Sequence, residues 1–283
     1  MELSLWKAVV LGVVQGLTEF LPVSSSGHLA VAEDLLGVQL PGLAFEVMVH
    51  LGTLVAVLVV YGADLWQAAA GFLRTGGGLA AGRRGPGPAG WFGFDPGTRL
   101  GWLVILGTIP AAVAGLALED LIEAAFDSPV LVAVFWIFTG ALLWWAGRRP
   151  PGGRPLERAT PADALVVGLF QALALLPGVS RSGSTLVGGL ARGLEREEAA
   201  RLSFLLSVPA ILGAAVLQLP DLMAAGQGGA WAPLLAGALA AAVTGYAAIR
   251  WLLRWLVAGR LGWFAYYLWT VAILLLFYAG WRG

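Results

Sequence analysis

The segment Gln15-Gly-Leu-Thr-Glu-Phe-Leu-Pro-Val-Ser-Ser-Ser-Gly-His28 interrupts an apolar stretch near the start of the chain. The stretch before it, residues 3–20, is slightly short for the roughly 20 residues that cross a bilayer. It runs into a proline and a Ser/Gly-rich run, which is typical of a helix that enters the membrane, breaks and turns back. Residues 162–176 run in the same way into Pro177-Gly-Val-Ser-Arg-Ser-Gly-Ser-Thr185. The sequence therefore predicts two broken, re-entrant helical hairpins.

The composition places the rest of the chain in a membrane as well. Of its 283 residues 59% are hydrophobic and 12% are charged, whereas a soluble domain carries about 25% charged residues. Seventeen basic residues balance 17 acidic ones, so the charge pattern of a nucleic-acid binder is missing. The absence of cysteine excludes disulfides, thiolate zinc sites and cysteine nucleophiles. Lys7 is the only lysine, which excludes a P-loop, lysine Schiff-base chemistry and the lysine-dependent motif of the common lipid-phosphatase superfamily.

Six further apolar stretches are long enough to span the bilayer. We therefore predict an all-α polytopic membrane protein, with six full transmembrane helices beside the two re-entrant hairpins. The predicted spans are residues 43–61, 99–118, 129–147, 199–219, 231–250 and 262–283.

The basic residues orient these spans by the positive-inside rule. The connections 62–98, 148–161, 192–198 and 251–261, with the span ends beside them, hold 14 of the 17 basic residues. The alternate connections, 119–128 and 220–230, contain acidic residues and no basic one. The first set is therefore predicted to be cytoplasmic, and the first hairpin enters from outside while the second enters from inside. Arg181 belongs to neither side, because it lies within the second broken segment.

The two halves of the chain repeat each other at an offset of 156 residues. We predict one membrane domain over residues 1–283, with inverted repeat halves 1–147 and 162–283 joined by the basic cytoplasmic loop 148–161. Such repeats place a polar site near the midplane, where the halves meet. The identical pairs are Gly12/Gly168, Gln15/Gln171, Leu17/Leu173, Val23/Val179, Ser24/Ser180, Ser26/Ser182 and Gly27/Gly183.

The two polar segments have the composition of a phosphate site. Gln15 and Glu19 share one helix face at the i, i+4 spacing, and Arg181 can bind two phosphate oxygens at once. Glycines and serines at the start of a new half-helix leave backbone N–H groups free to bind an anion. The alternative is that such clusters only allow close helix packing. Ionisable groups at membrane depth are costly, so function is favoured for Glu19 and Arg181.

A polar stripe in the first full span could belong to the same site. Glu46, His50 and Thr53 lie at i, i+4 and i+7 on an otherwise apolar helix. A contact between helices would explain the stripe equally well. Chemically, Ser25 supplies a hydroxyl nucleophile with His28 three residues on, and carboxylate with phosphate oxygens suits Mg²⁺ or Ca²⁺. Phosphate-ester chemistry inside a membrane indicates a lipid phosphate as substrate.

The two motifs resemble those of a known family. Residues 15–28 are similar to the (Glu/Gln)-x-x-x-Glu motif and Ser-rich loop of the bacitracin-resistance type undecaprenyl-pyrophosphate phosphatases. Residues 177–185 resemble their Pro-Gly-x-Ser-Arg-Ser-x-x-Thr motif. The resemblance extends over essentially the whole chain, including residues 45–52 and 203–211. Gln15 stands where many members have glutamate, which weakens any mechanism that needs two carboxylates on the metal.

The resemblance implies a divalent-cation-dependent enzyme of the bacterial cell membrane, with its site open to the outer face. It would hydrolyse undecaprenyl pyrophosphate to undecaprenyl phosphate and inorganic phosphate, which recycles the carrier lipid for the cell wall and confers bacitracin resistance. By position, Glu19 is the acidic motif residue and metal ligand, Ser25 the nucleophile, His28 its acid/base partner and Arg181 the pyrophosphate clamp. The implied hydrogen-bonding residues around the substrate are Gln15, Ser24, Ser26, Ser180, Ser182 and Thr185.

Two alternatives stay open at this stage. Inverted repeats with broken helices are also the usual construction of transporters, so a transporter or a polyprenyl-phosphate flippase is the competing function. Within the enzyme hypothesis, a phosphoserine on Ser25 competes with direct attack by a water that Glu19 or His28 activates. The expected partners are the polyprenyl pyrophosphate and membrane lipids, with a homodimer as a further expectation and no nucleic acid.

Overall fold

The computed structural model describes residues 3–38, 43–80, 90–91, 93–126, 128–150, 152–220, 222–223 and 231–282. In these ranges the chain is helical apart from turns, connecting segments, short 3₁₀ segments and one isolated bridge. The helices are α1 (Leu5–Phe20), α2 (Ser25–Leu36), α3 (Ala44–Ala80), α4 (Pro96–Ala117), α5 (Glu119–Phe126), α6 (Pro129–Gly147), α7 (Pro161–Leu173), α8 (Arg181–Ala191), α9 (Arg196–Leu217), α10 (Trp231–Val257) and α11 (Gly262–Arg282).

Six of the described helices are long and apolar enough to cross a membrane, and they coincide with the six predicted spans. They contain Ala44–Thr75, Pro96–Ala117, Pro129–Gly147, Arg196–Leu217, Trp231–Val257 and Gly262–Trp281. The prediction of an all-α polytopic membrane protein is thereby confirmed.

The first full span is longer than predicted. We expected it to end at Tyr61, where polar residues begin, but α3 continues to Ala80 beyond an irregular residue at Tyr61 (φ −119°, ψ 18°). The extension is held against the start of α4, because Gly71 lies directly against the backbone of Gly97 and Thr98. Part of the predicted cytoplasmic loop 62–98 is therefore helical, and its residues 81–89 lie outside the described part of the chain.

Both short apolar stretches break where the sequence predicts. α1 ends at Phe20, and Leu21 is already extended before Pro22. In the second half the reversal uses Gly178, whose φ of 91° suits glycine. Pro22 occupies the position equivalent to Gly178 and cannot adopt a positive φ. The first half places the positive φ (70°) two residues later, at Ser24, a strained conformation for a residue with a side chain.

The packing pairs each broken helix with the opposite half of the chain. α1 packs mainly on α10, and α7 packs on α4. Both contacts are close, since a Cβ on Gly12 would overlap the backbone of Gly237, and one on Gly168 that of Gly107. α3 meets α9, and α6 meets α11. The division into inverted halves stays a prediction, and this exchange of partners is the packing that such a repeat would produce.

The segment between the halves is anchored to the second hairpin at the predicted cytoplasmic side. Asp163, at the start of α7, is fully buried and pairs with Arg154 at 2.7 Å and Arg192 at 2.6 Å. Arg154 also pairs its backbone with the residues that follow α8. The two ends of the second hairpin are thus tied to the linker by one carboxylate.

Candidate active site

A cavity of about 340 Å³ lies where the two broken helices meet. Five of the predicted site residues line it: Glu19, Ser24, Ser25, Ser26 and Arg181. They come from the end of α1 and from the first turns of α2 and α8. The rest of the lining comes from α3, α9 and the turn between α7 and α8. The cavity has the size of a small-ligand site.

Glu19 is the centre of the polar wall of the cavity, which consists of Glu19, Ser24–26, Glu46, His50 and Arg181. Its Oε1 accepts a hydrogen bond from Arg181 Nη2 at 2.6 Å, and its Oε2 accepts one from Ser25 Oγ at 2.6 Å. The carboxylate is nearly buried, with 5% of the side chain exposed, and Arg181 is 16% exposed. Removing only one member would leave a poorly solvated charge, so the loss of either partner alone should be destabilising. It joins residues 162 positions apart, as the sequence predicted for a site between the halves.

Gln15 holds Glu19 by a hydrogen bond on the side away from the cavity. It is fully buried, and its Nε2 donates to Glu19 Oε2 at 3.0 Å. The i, i+4 spacing places both side chains on one face of α1, as expected. An amide at this position gives Glu19 a hydrogen-bond donor instead of a second negative charge. Gln15 is not part of the cavity lining.

The N-termini of two half-helices point at the same cavity. Ser25 is the first residue of α2 and Arg181 is the first residue of α8, and both line the cavity. A helix N-terminus carries partial positive charge and unpaired backbone N–H groups. Arg181 and these two helix ends therefore make a cationic cradle beside the carboxylate of Glu19.

Three predicted substrate-binding residues hold the loops together instead of lining the cavity. Ser180 caps α8 by accepting from the Gly183 N–H at 3.1 Å. Ser182 donates to the Leu21 carbonyl of the first hairpin at 3.0 Å, and Thr185 donates to the Arg181 carbonyl at 2.7 Å. All three side chains are buried. The contact between Ser182 and Leu21 fixes the two broken segments to each other.

His28 lies outside the cavity. Its Nδ1 donates to the Ser24 carbonyl at 2.8 Å, and its Nε2 is 2.8 Å from the Tyr267 hydroxyl. The ring stacks on Tyr267 and also contacts the ring of Trp136. Because both ring nitrogens have these partners, the structure does not place His28 as the base of Ser25. It holds the carbonyl of Ser24, the residue with the positive φ.

Replacing His28 by asparagine should therefore preserve most of the activity. The asparagine amide can donate to the Ser24 carbonyl from the position of Nδ1, whereas alanine cannot. We expect His28→Asn to keep the rate within about tenfold, since loss of a general acid or base costs about 10²-fold or more. Phosphate release by the purified variants measures this. If both His28→Asn and His28→Ala lowered the rate by about 10²-fold or more, His28 would be the general acid or base after all.

The polar stripe of α3 belongs partly to the cavity and partly to the interior of the helix packing. Glu46 and His50 line the cavity, and His50 Nε2 lies 3.6 Å from Glu19 Oε2. His50 Nδ1 donates to the Glu46 carbonyl, which fixes its tautomer. Thr53 is fully buried and donates to the His50 carbonyl of its own helix. The histidine near the carboxylate is thus His50, and the stripe was the signal for it.

A divalent cation fits this site only together with phosphate oxygens. Among the described residues no group of three His, Asp or Glu side chains could hold a metal ion. Two carboxylates, Glu19 and Glu46, do reach the cavity. Mg²⁺ commonly binds through one or two carboxylates plus substrate phosphates. The donor set therefore suits a cation that arrives with a phosphorylated ligand.

The cavity also has an apolar part, called here the apolar wall, which no pattern in the sequence indicated. Its residues are Leu43 and Val47 of α3, Ala174, Leu175 and Val179 near the second break, and Ala210, Ile211, Ala214 and Ala215 of α9.

Comparison with known proteins shows which family the chain belongs to. The family model described as bacitracin resistance protein BacA matches residues 8–274. A protein named undecaprenyl-diphosphatase from Rubrobacter xylanophilus is 46% identical over 275 residues, which cover 96% of this chain and 97% of the relative. Proteins of the same name from Desulfatibacillum aliphaticivorans and Alkaliphilus metalliredigens are 44% and 42% identical, and each alignment covers at least 95% of both chains. The chain belongs to the bacitracin resistance protein BacA family.

Proposed function

We propose that this membrane protein is an undecaprenyl-diphosphatase, which hydrolyses undecaprenyl pyrophosphate to undecaprenyl phosphate and inorganic phosphate. The observation that carries the proposal is the convergence of Ser25 and Arg181 on the Glu19 carboxylate. A nucleophile, a base and an oxyanion-binding cation then occupy one membrane-embedded cavity. The product lipid would be used again as the carrier in cell-wall synthesis. This recycling would account for the bacitracin resistance that gives the family its name.

Ser25 is the proposed nucleophile, because its hydroxyl already donates to a carboxylate. The Ser25 oxygen attacks the terminal phosphorus as its proton passes to Glu19. The bond between that phosphorus and the bridging oxygen breaks, and undecaprenyl phosphate leaves. A water then attacks the phosphoserine, Glu19 returns its proton to the departing Ser25 oxygen, and inorganic phosphate is released, which restores the starting pair.

Arg181 is the proposed clamp for the pyrophosphate. Its guanidinium binds Glu19 in the structure, and a substrate phosphate would compete for the same donors. Movement of Arg181 onto the phosphate leaves Glu19 Oε1 free. The N-termini of α2 and α8 would add backbone N–H groups that stabilise negative charge on the transferring phosphoryl group.

A divalent cation, Mg²⁺ or Ca²⁺, is part of the proposal. Glu46 would hold it with the phosphate oxygens, and Glu19 could join once Arg181 has moved to the substrate. When bound, the cation neutralises part of the pyrophosphate charge. Gln15 supplies no carboxylate, so Glu46 is the second acidic ligand in this chain.

The cavity is proposed to open toward the outer face of the cell membrane. Leu43 and Glu46 lie at the start of α3, and Gln218 lies just beyond the end of α9. The distribution of arginines predicts that these ends face outward. Association of two copies as a homodimer stays a prediction.

Phosphate release by the purified protein tests the function. In detergent with Mg²⁺ or Ca²⁺ we expect inorganic phosphate from undecaprenyl pyrophosphate, and chelation by EDTA should reduce the rate at least about tenfold. As a control, the variant Arg201→Lys should release phosphate at about the rate of the parent. Arg201 pairs with Asp64 and does not line the cavity. Binding of the lipid without phosphate release by the parent protein would favour the transporter or flippase instead.

A further inference from the structure

The cavity has two chemically different walls. The polar one consists of Glu19, Ser24–26, Glu46, His50 and Arg181. The apolar one is formed by α9, by the turn after α7 and by the start of α3. A pyrophosphate head uses only the first. The apolar wall is explained if the lipid chain of the substrate lies against it.

The repeat shows how the two walls arise. Position 19 in the first half corresponds to position 175 in the second at the offset of 156 residues. One is glutamate and the other is leucine, and both side chains line the same cavity. Equivalent positions thus present a carboxylate on one side and an aliphatic group on the other. This asymmetry matches a ligand with one charged end and one apolar end.

The apolar wall follows one face of α9 out to the protein surface. Residues 210, 211, 214, 215 and 218 share this face at helical spacing. Ala210 is half-buried, and Ala214, one turn further on, lines the cavity and is exposed. Val216 lies on a different face and is 70% exposed. The apolar face of α9 therefore continues from the buried part of the cavity to its exposed part.

We infer that the alanine face of α9, at Ala210 and Ala214, carries the first isoprene units of the substrate's polyprenyl chain. This assignment rests on the proposed substrate class. Alanine side chains leave the groove open, and an apolar chain lying there is removed from contact with water near the polar centre. A bulky side chain at Ala214 would fill the groove without touching the polar wall.

The absence of cysteine from the chain permits a direct test by chemical labelling. Ala210→Cys and Ala214→Cys report the groove, and Val216→Cys reports the other face of α9. A non-hydrolysable methylene analogue of a polyprenyl pyrophosphate should slow maleimide labelling of both groove cysteines at least about tenfold, because a bound chain blocks access to the thiol. Labelling of Val216→Cys should not change. Equal labelling of the groove with and without the analogue would overturn the inference.

Substrate length provides a second, independent readout. Ala214→Trp should lower kcat/KM for undecaprenyl pyrophosphate by about tenfold or more, and that for dimethylallyl pyrophosphate by less than about twofold. Val216→Trp is the control and should change neither. An equal loss on both substrates, or no loss on the long one, would contradict the groove. Labelling requires only binding, so protection without phosphate release by the parent would refute the enzyme and keep the groove.

Discussion

Ser25→Ala should lower the rate of phosphate release by about 10³-fold or more, because it removes the attacking oxygen. The cradle of Arg181 and the helix N-termini would remain, so some rate above that in water should persist. Ser25 is half-exposed toward the cavity, and alanine fills less space, so the fold should tolerate the change. The measurement is kcat on undecaprenyl pyrophosphate, together with the melting temperature in detergent.

Trapping the intermediate separates the two routes of attack. Substrate labelled in the terminal phosphate, quenched in acid after milliseconds, should leave label on the parent protein and none on Ser25→Ala. Ser26→Ala is the matched control, since its hydroxyl also lines the cavity but lies 3.3 Å from Ser24 Oγ instead of contacting Glu19. Ser26→Ala should therefore still label. An active Ser25→Ala protein, within about tenfold of the parent, would establish direct attack by water.

Much of the site could be predicted because its chemistry is local in sequence. The i, i+4 pair of Gln15 and Glu19 requires only a helix. The serines after Pro22 require only that the helix breaks. Arg181 was marked by its depth in the membrane, where an unpaired charge is costly. The meeting of Ser25 and Arg181 at Glu19 also follows from the repeat, because the two donors occupy equivalent positions in the two halves.

The placement of His28 could not be predicted, because it depends on the geometry of one turn. Three residues after Ser25 a histidine can face the serine or turn away, and spacing does not decide between them. The positive φ of Ser24 and the aromatic partners Trp136 and Tyr267 direct the ring outward. Tyr267 comes from the last helix, 239 residues away. His50 takes the place near Glu19 because the start of α3 packs beside the first break.

The apolar wall could not be predicted from the sequence for a different reason. A membrane helix is apolar on every face, so hydropathy cannot distinguish a face toward lipid from a face toward a ligand. Ala210 and Ala214 read as ordinary membrane residues. Only the placement of α9 against the two breaks gives them a cavity to line. The length of α3 was missed similarly, because its extension past Tyr61 is stabilised by contact with α4.

The rate of hydrolysis should depend on both the charge and the planar shape of the Arg181 side chain. We expect Arg181→Ala to lower kcat/KM by about 10³-fold or more, and Arg181→Lys by about 10²-fold. A lysine keeps the charge but loses the planar fork, which can bind two phosphate oxygens while its neighbouring N–H groups stay engaged. Arg181 already uses two donors in this way, one to Glu19 Oε1 and one to the Ser203 carbonyl.

The stability of these variants separates catalysis from folding. Arg181→Ala leaves Glu19 buried without its cation, so this protein should melt at a lower temperature than the parent. The double variant Glu19→Gln/Arg181→Ala removes both charges and should recover much of the melting temperature without recovering activity. Arg201→Lys, which alters an ion pair with Asp64 away from the cavity, should keep its activity. An Arg181→Ala protein that hydrolyses the lipid within about threefold of the parent would show that the phosphate is bound elsewhere.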